Sequence, residues 1–99
     1  MIRHLVLWKL AAESADEKAA VVAELQERFA PLVSLIDGTE RLDIRADLDA
    51  TDGNWDVVLD SDYRDADALD AYQVHPSHQA VVPQIKALVS QRAAVDFEL

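Results

Sequence analysis

The residues best equipped for chemistry are gathered in the stretch Tyr72-Gln73-Val74-His75-Pro76-Ser77-His78. Two of the three histidines stand there, three residues apart, beside one of the two tyrosines. Unperturbed imidazole titrates near neutrality, so histidine is the default group for moving a proton at physiological pH. A phenol can donate a hydrogen bond to a carbonyl or an enolate. Pro76 cannot continue a preceding helix but suits the first position of a new one. The stretch therefore predicts a helix end, a corner, and a second short helix carrying His78 near its start. A plainer account has Pro76 making the corner and the histidines solvating it. In a third, His75 and His78 share a metal, as histidines at i and i+3 can. A third ligand with proper spacing is absent unless Asp70 or His4 folds in, so no metal is expected.

These side chains need elements to position them. Ile2 to Leu10 is apolar on both phases of a strand, with Ile2, His4, Val6, Trp8 and Leu10 on one face and Leu5 and Leu7 on the other. A strand apolar on both sides belongs in the middle of a sheet. Ser14 and Glu17 form a capping box, and the helix it opens carries Val22, Leu25, Phe29 and Val33 at helical spacing. Pro31 should kink or end that helix, and Gly38 marks its latest stop. A half-buried strand is predicted over Glu40 to Leu48, and a third strand over Trp55 to Tyr63. Between them, Asp47 to Gly53 has the acidic look of a calcium loop. The spacing excludes one, since Asp52 stands where glycine is needed and Val58 where glutamate is needed. A hairpin loop closed by Asp52-Gly53 is expected instead. Asp65 is placed to cap a short helix through Leu69 and Tyr72. Val81, Ile85 and Leu88 mark a further helix, with Pro83 starting or kinking it, and Arg92 to Leu99 alternates like a closing strand.

Composition narrows the field. Ninety-nine residues, 51% of them hydrophobic, suffice for a single domain over residues 1–99. The absence of cysteine excludes disulfides, thiolate nucleophiles and zinc sites built on sulfur. No apolar run is long enough for a membrane span, and a soluble cytoplasmic protein is the default expectation. The formal charge is −10, and between Asp37 and Asp70 twelve acidic residues face only Arg41, Arg45 and Arg64. Such a field repels phosphate backbones and anionic lipid, so neither nucleic acid nor a membrane is an expected partner.

The order β-α-β-β-α-β, with its second helical region broken in two, predicts a four-stranded sheet covered by helices on one side, strands one and three central. The second face of the first strand then needs a cover, and no element of the chain is left for it. A second copy of the same sheet is the expected cover, giving a symmetric homodimer. That dimer is expected to enclose a chamber fringed by imidazole and phenol.

The opening Arg3-His4-Leu5-Val6-Leu7-Trp8-Lys9, the motif Tyr72-x-x-His75-Pro76-x-His78 and the closing Val95-Asp96-Phe97 resemble the stress-responsive dimeric α+β barrel family, Dabb. The resemblance spans essentially the whole chain. It implies an α+β fold: a ferredoxin-like protomer with a four-stranded antiparallel sheet, paired with a second protomer into a barrel. The chain is also similar at these positions to the family's plant olivetolic acid cyclase, which closes a polyketide chain without metal or organic cofactor. That similarity implies His78 as general base, Tyr72 as the group that holds or polarises the substrate, and His4 lining the same cavity. His75 looks structural in comparison, turning the chain at Pro76, and is counted with His4, Val6 and Trp8 among the ligand-contacting candidates. Two functions stay open. One is a cofactor-independent enzyme or binder for a small apolar carbonyl compound, and the other a non-catalytic stress or assembly protein stabilised by oligomerisation.

Overall fold

The computed structural model describes all 99 residues. Strand β1 (Ile2–Leu10) leads to helix α1 (Ala15–Phe29) and a single turn, α2 (Leu32–Leu35). Strands β2 (Thr39–Ala46) and β3 (Val57–Tyr63) pair directly, and helices α3 (Ala66–Val74) and α4 (Pro76–Ile85) precede the closing strand β4 (Val89–Glu98). All pairings are antiparallel and the strand order is β2-β3-β1-β4, with β1 and β3 central as the patterning predicts. This is a ferredoxin-like α+β protomer with every helix on one face of the sheet.

Local chemistry explains the boundaries. Ser14 Oγ accepts from the Glu17 N–H at 3.1 Å and starts α1, which buries Val22, Leu25 and Phe29 against the sheet. The helix stops at Phe29 because Pro31 has no amide to extend the ladder, and Leu32–Leu35 forms a separate turn. Gly38 turns the chain into β2 at φ +85°, where a side chain would be strained. A Cβ there would also come within 2.7 Å of the Ala68 Cβ on α3.

Two expectations fail in the β2–β3 connection. Strand β2 ends at Ala46, and Leu48, expected in phase with its buried face, is 93% exposed. The cause is Asp47, whose carboxylate accepts from the Asp49 N–H at 2.9 Å and from Asn54 Nδ2 at 3.1 Å, curling the backbone out of the ladder. Trp55 precedes β3, its ring lying 5.3 Å beneath Lys9 Nζ.

The sheet has two unlike faces. On the inner face Val6, Trp8, Ile44, Val57 and Leu59 pack with Leu25 and Phe29 into one core of 17 buried hydrophobic residues. On the outer face Asp62 lies between two guanidinium groups, accepting from Arg3 Nε at 2.8 Å and from Arg41 Nε at 3.0 Å. The Arg3 hydrogen bond, seconded by Arg41, outweighs burial and holds the Asp62 carboxyl down at about 2. Towards β4 that face carries an apolar strip, with Leu7 at 40%, Val95 at 62% and Phe97 at 41% exposure. No helix of the chain is long and apolar enough to cross a membrane.

Candidate functional site

The site is built on the corner between α3 and α4. Asp65 Oδ1 accepts from the Ala68 N–H at 2.8 Å and opens α3. His75 then serves both helices. Its N–H donates to the Tyr72 carbonyl at 3.2 Å, closing α3, and its Nδ1 accepts from the Ser77 N–H at 3.0 Å, opening α4. Pro76 takes the first position of α4, and the later Pro83 lies inside that helix without ending it. The corner sets Tyr72 and His78 against each other, their rings 4.5 Å apart and tilted by 45°, with Phe29 6.4 Å from the same imidazole.

Beside them lies a cavity of about 350 Å³ between the inner face of the sheet and the helices. His4, Val6 and Trp8 line it from β1, and Tyr72 and His78 from the corner, so five of the six residues singled out in the sequence meet here. The sixth is a correction. His75 does not line this cavity, because its imidazole is engaged as a helix cap. The location is a second correction. The cavity lies within one protomer, on the helix side of the sheet, and not in a chamber between two sheets. His4 projects to that side because it shares a phase with the buried Val6 and Trp8.

The protonation pattern follows from the hydrogen bonds. His78 Nδ1 lies 3.2 Å from the Gln73 carbonyl, which can only accept, so Nδ1 carries the proton and Nε2 keeps its lone pair. Burial lowers the His78 pKa below the usual histidine value, and the Gln73 carbonyl only partly opposes this. The positive charge of nearby Arg92 adds to the lowering. His78 is therefore a neutral imidazole at physiological pH. His4, 4% exposed, is held through Nδ1 by the Asp96 carboxylate, which orients its ring at the cavity wall. The Tyr72 ring walls the cavity, and its buried hydroxyl has no hydrogen-bond partner in the protein. Burial raises this phenol and that of Tyr63, whose ring lies 4.9 Å away, the latter to about 12. Both are proton-bearing donors at neutral pH.

Asp96, Arg92 and Lys86 were not among the residues singled out in the sequence. The signal for Asp96 and Arg92 lay in register: β1 and β4 pair antiparallel with His4 opposite Asp96 and Trp8 opposite Arg92, and directly opposed residues share a face, whereas Lys86 is the C-cap of α4. No three His, Asp or Glu side chains converge where a metal ion could sit.

Comparison with known proteins places this architecture. The profile of the Stress responsive A/B Barrel Domain, Dabb, matches residues 2–99. The chain belongs to the Dabb family. An uncharacterized protein of Streptomyces coelicolor is 35% identical to this Dabb chain over 82 residues, which cover 83% of this chain and 84% of that protein. A crystal structure from Bacteroides fragilis, described as a dimeric protein of unknown function with a ferredoxin-like fold, superposes with a TM-score of 0.83 at 26% identity. The match covers 99% of this chain and 95% of that one. A dimeric ferredoxin-like protein of unknown function from Thermobifida fusca superposes with a TM-score of 0.78 at 29% identity, over 99% and 90% of the two chains. Dabb membership agrees with the resemblance carried by the strand-one histidine and the His75-Pro76-x-His78 corner.

Proposed function

We propose that this Dabb protein is a homodimer whose protomers each bind a small, mainly apolar carbonyl compound and remove a proton alpha to its carbonyl, with no cofactor. His78 is the general base. The observation that carries the reading is its placement: an imidazole lining an apolar cavity, with Nδ1 3.2 Å from the Gln73 carbonyl, a contact that leaves Nε2 as the basic nitrogen. A base in this state can take such a proton if the enolate oxygen that forms is met by a donor. The Tyr72 hydroxyl is a buried donor without a partner, on a ring 4.5 Å from that imidazole. His4, paired with Asp96, is a second imidazole on the same cavity. The dimer draws on the uncovered apolar half of the outer face and on the dimeric relatives from Bacteroides fragilis and Thermobifida fusca.

The test is α-proton exchange in D₂O, followed by NMR, on small apolar ketones and β-keto thioesters. Exchange above background is expected with the wild-type protein and not with His78→Ala, while Tyr72→Phe isolates the contribution of the hydroxyl. Equal exchange by His78→Ala would remove the proposed base. A second reading, a non-catalytic protein whose value is a robust oligomer, rests on the exposed Leu7 and Phe97 alone. Failure of the whole substrate panel to exchange or bind, with a melting temperature that rises with protein concentration, would favour it.

A further inference from the structure

The basic residues are distributed in a way that the proposed proton abstraction does not use. Of the nine Lys and Arg side chains, Arg3, Lys18, Arg28, Arg41 and Arg64 are held in ion pairs, and Lys9 covers Trp55. Arg45, Lys86 and Arg92 make no ion pair. Arg45 projects from the outer face, opposite Val58. Lys86 and Arg92 both line the His78 cavity, and no Asp or Glu lines it with them. Asp96, which shares the inner face of β4 with Arg92, is engaged by His4.

Nineteen acidic residues stand against nine basic ones in this chain, so two unpaired cations on one apolar cavity call for a cause. Lys86 has a partial one of its own, because it caps the carboxyl end of α4, where the helix dipole favours a cation. Arg92 has none. It sits on an edge strand opposite Trp8, where a neutral side chain would serve the sheet equally well. The net charge of −10 does not oppose an anion here. Screening confines surface charges to about 8 Å at physiological ionic strength, so the two cations lining the cavity outweigh carboxylates on distant strands. A guanidinium is also the side chain that matches the two oxygens of a carboxylate.

We infer that the cavity takes its ligand as an apolar carboxylate, with the body of the molecule against Val6, Trp8 and Phe29 and the carboxylate against Arg92 and Lys86. This rests on the proposed use of the cavity and adds the class of compound that enters it. A carbonyl compound bound in this way is held at its charged end by the two cations and presents its apolar portion, with the acidic C–H, to the imidazoles.

The test is calorimetric titration of the full chain with octanoate and with octanamide, its neutral isostere, alongside Lys86→Gln/Arg92→Gln and the control Arg45→Gln. Wild type and Arg45→Gln are expected to bind octanoate at least tenfold more tightly than octanamide, with a preference that shrinks as salt is added. In the double variant the preference should fall towards one while octanamide affinity stays unchanged. Equal affinities in the wild type, or a preference that survives in the double variant, would overturn the carboxylate assignment and leave the apolar cavity standing. Binding of neither compound would overturn both the assignment and the cavity's proposed use. All the exchanged side chains are exposed, and circular dichroism of each variant verifies the fold.

Discussion

The two faces of the sheet are made from the same strands and solve different problems. Every second residue of β1 faces the helices, and there His4, Val6 and Trp8 are each at most 4% exposed. Their neighbours Arg3, Leu5 and Leu7 look outward onto a surface divided in two: an ion-pair cluster in which Arg3 joins β2 and β3, and an apolar strip of Leu5 and Leu7 with Val95 and Phe97 of β4. On the inner face polarity is confined to a few groups whose hydrogen bonds fix their protonation. On the outer face charge is abundant, and the Arg3, Arg41, Asp60 and Asp62 side chains are paired with one another beside the apolar strip. The difference teaches where function and assembly can each be disturbed separately.

The sharpest way to break that separation is at the base. His78→Ala should reduce any α-proton exchange by about 10²–10⁴-fold, the usual share of a positioned acid–base group, while leaving the sedimentation coefficient unchanged. Because burial lowers the His78 pKa, its base form persists through neutrality, and activity should decline only below about pH 6.5, the ordinary histidine value. An acid limb centred at or above that value would point to another group. Next comes the inner core. Leu25→Ala, at a position 0% exposed and away from the cavity, should cost about 2–5 kcal/mol in urea unfolding. On the outer face Leu7→Asp should leave the circular dichroism spectrum intact and convert dimer to monomer in sedimentation velocity at micromolar concentration. A wild-type protein that is already monomeric there would remove the proposed role of the apolar strip. The smallest effect concerns Asp62. Its folded pKa of about 2 lies below the unfolded value of about 3.9, so its contribution to stability is complete above about pH 4 and is lost as pH falls towards 2. Asp62→Asn should flatten the decline of the urea midpoint over that window.

Much of this was readable from residue types. The capping serine, the proline that ends α1, the corner at His75-Pro76 and the central place of β1 each follow from a local rule that tertiary context did not override. What could not be read was the direction of β4. Val95 and Phe97 alternate with Asp96 and Glu98, and taken alone the apolar pair looks like the buried one. The observed register turns Asp96 towards His4 and leaves Val95 and Phe97 uncovered, because an edge strand takes its orientation from its partner strand. Arg92 was hidden for the same reason, while Lys86 lies just past the end of α4. Leu48 misled in another way, since an alternating pattern carries no mark of where Asp47 will curl the chain out of the ladder.

The single-residue hinge at His75 has a mechanical consequence. One amino acid closes one helix and opens the next, so nothing in the joint can stretch, and the spacing between phenol and imidazole is a property of the bend itself. Each residue advances a helix by about 100°. Adding one alanine after Pro76 would therefore swing His78 roughly a quarter-turn off the cavity while Tyr72 stayed in place, parting the pair without deleting an atom of either.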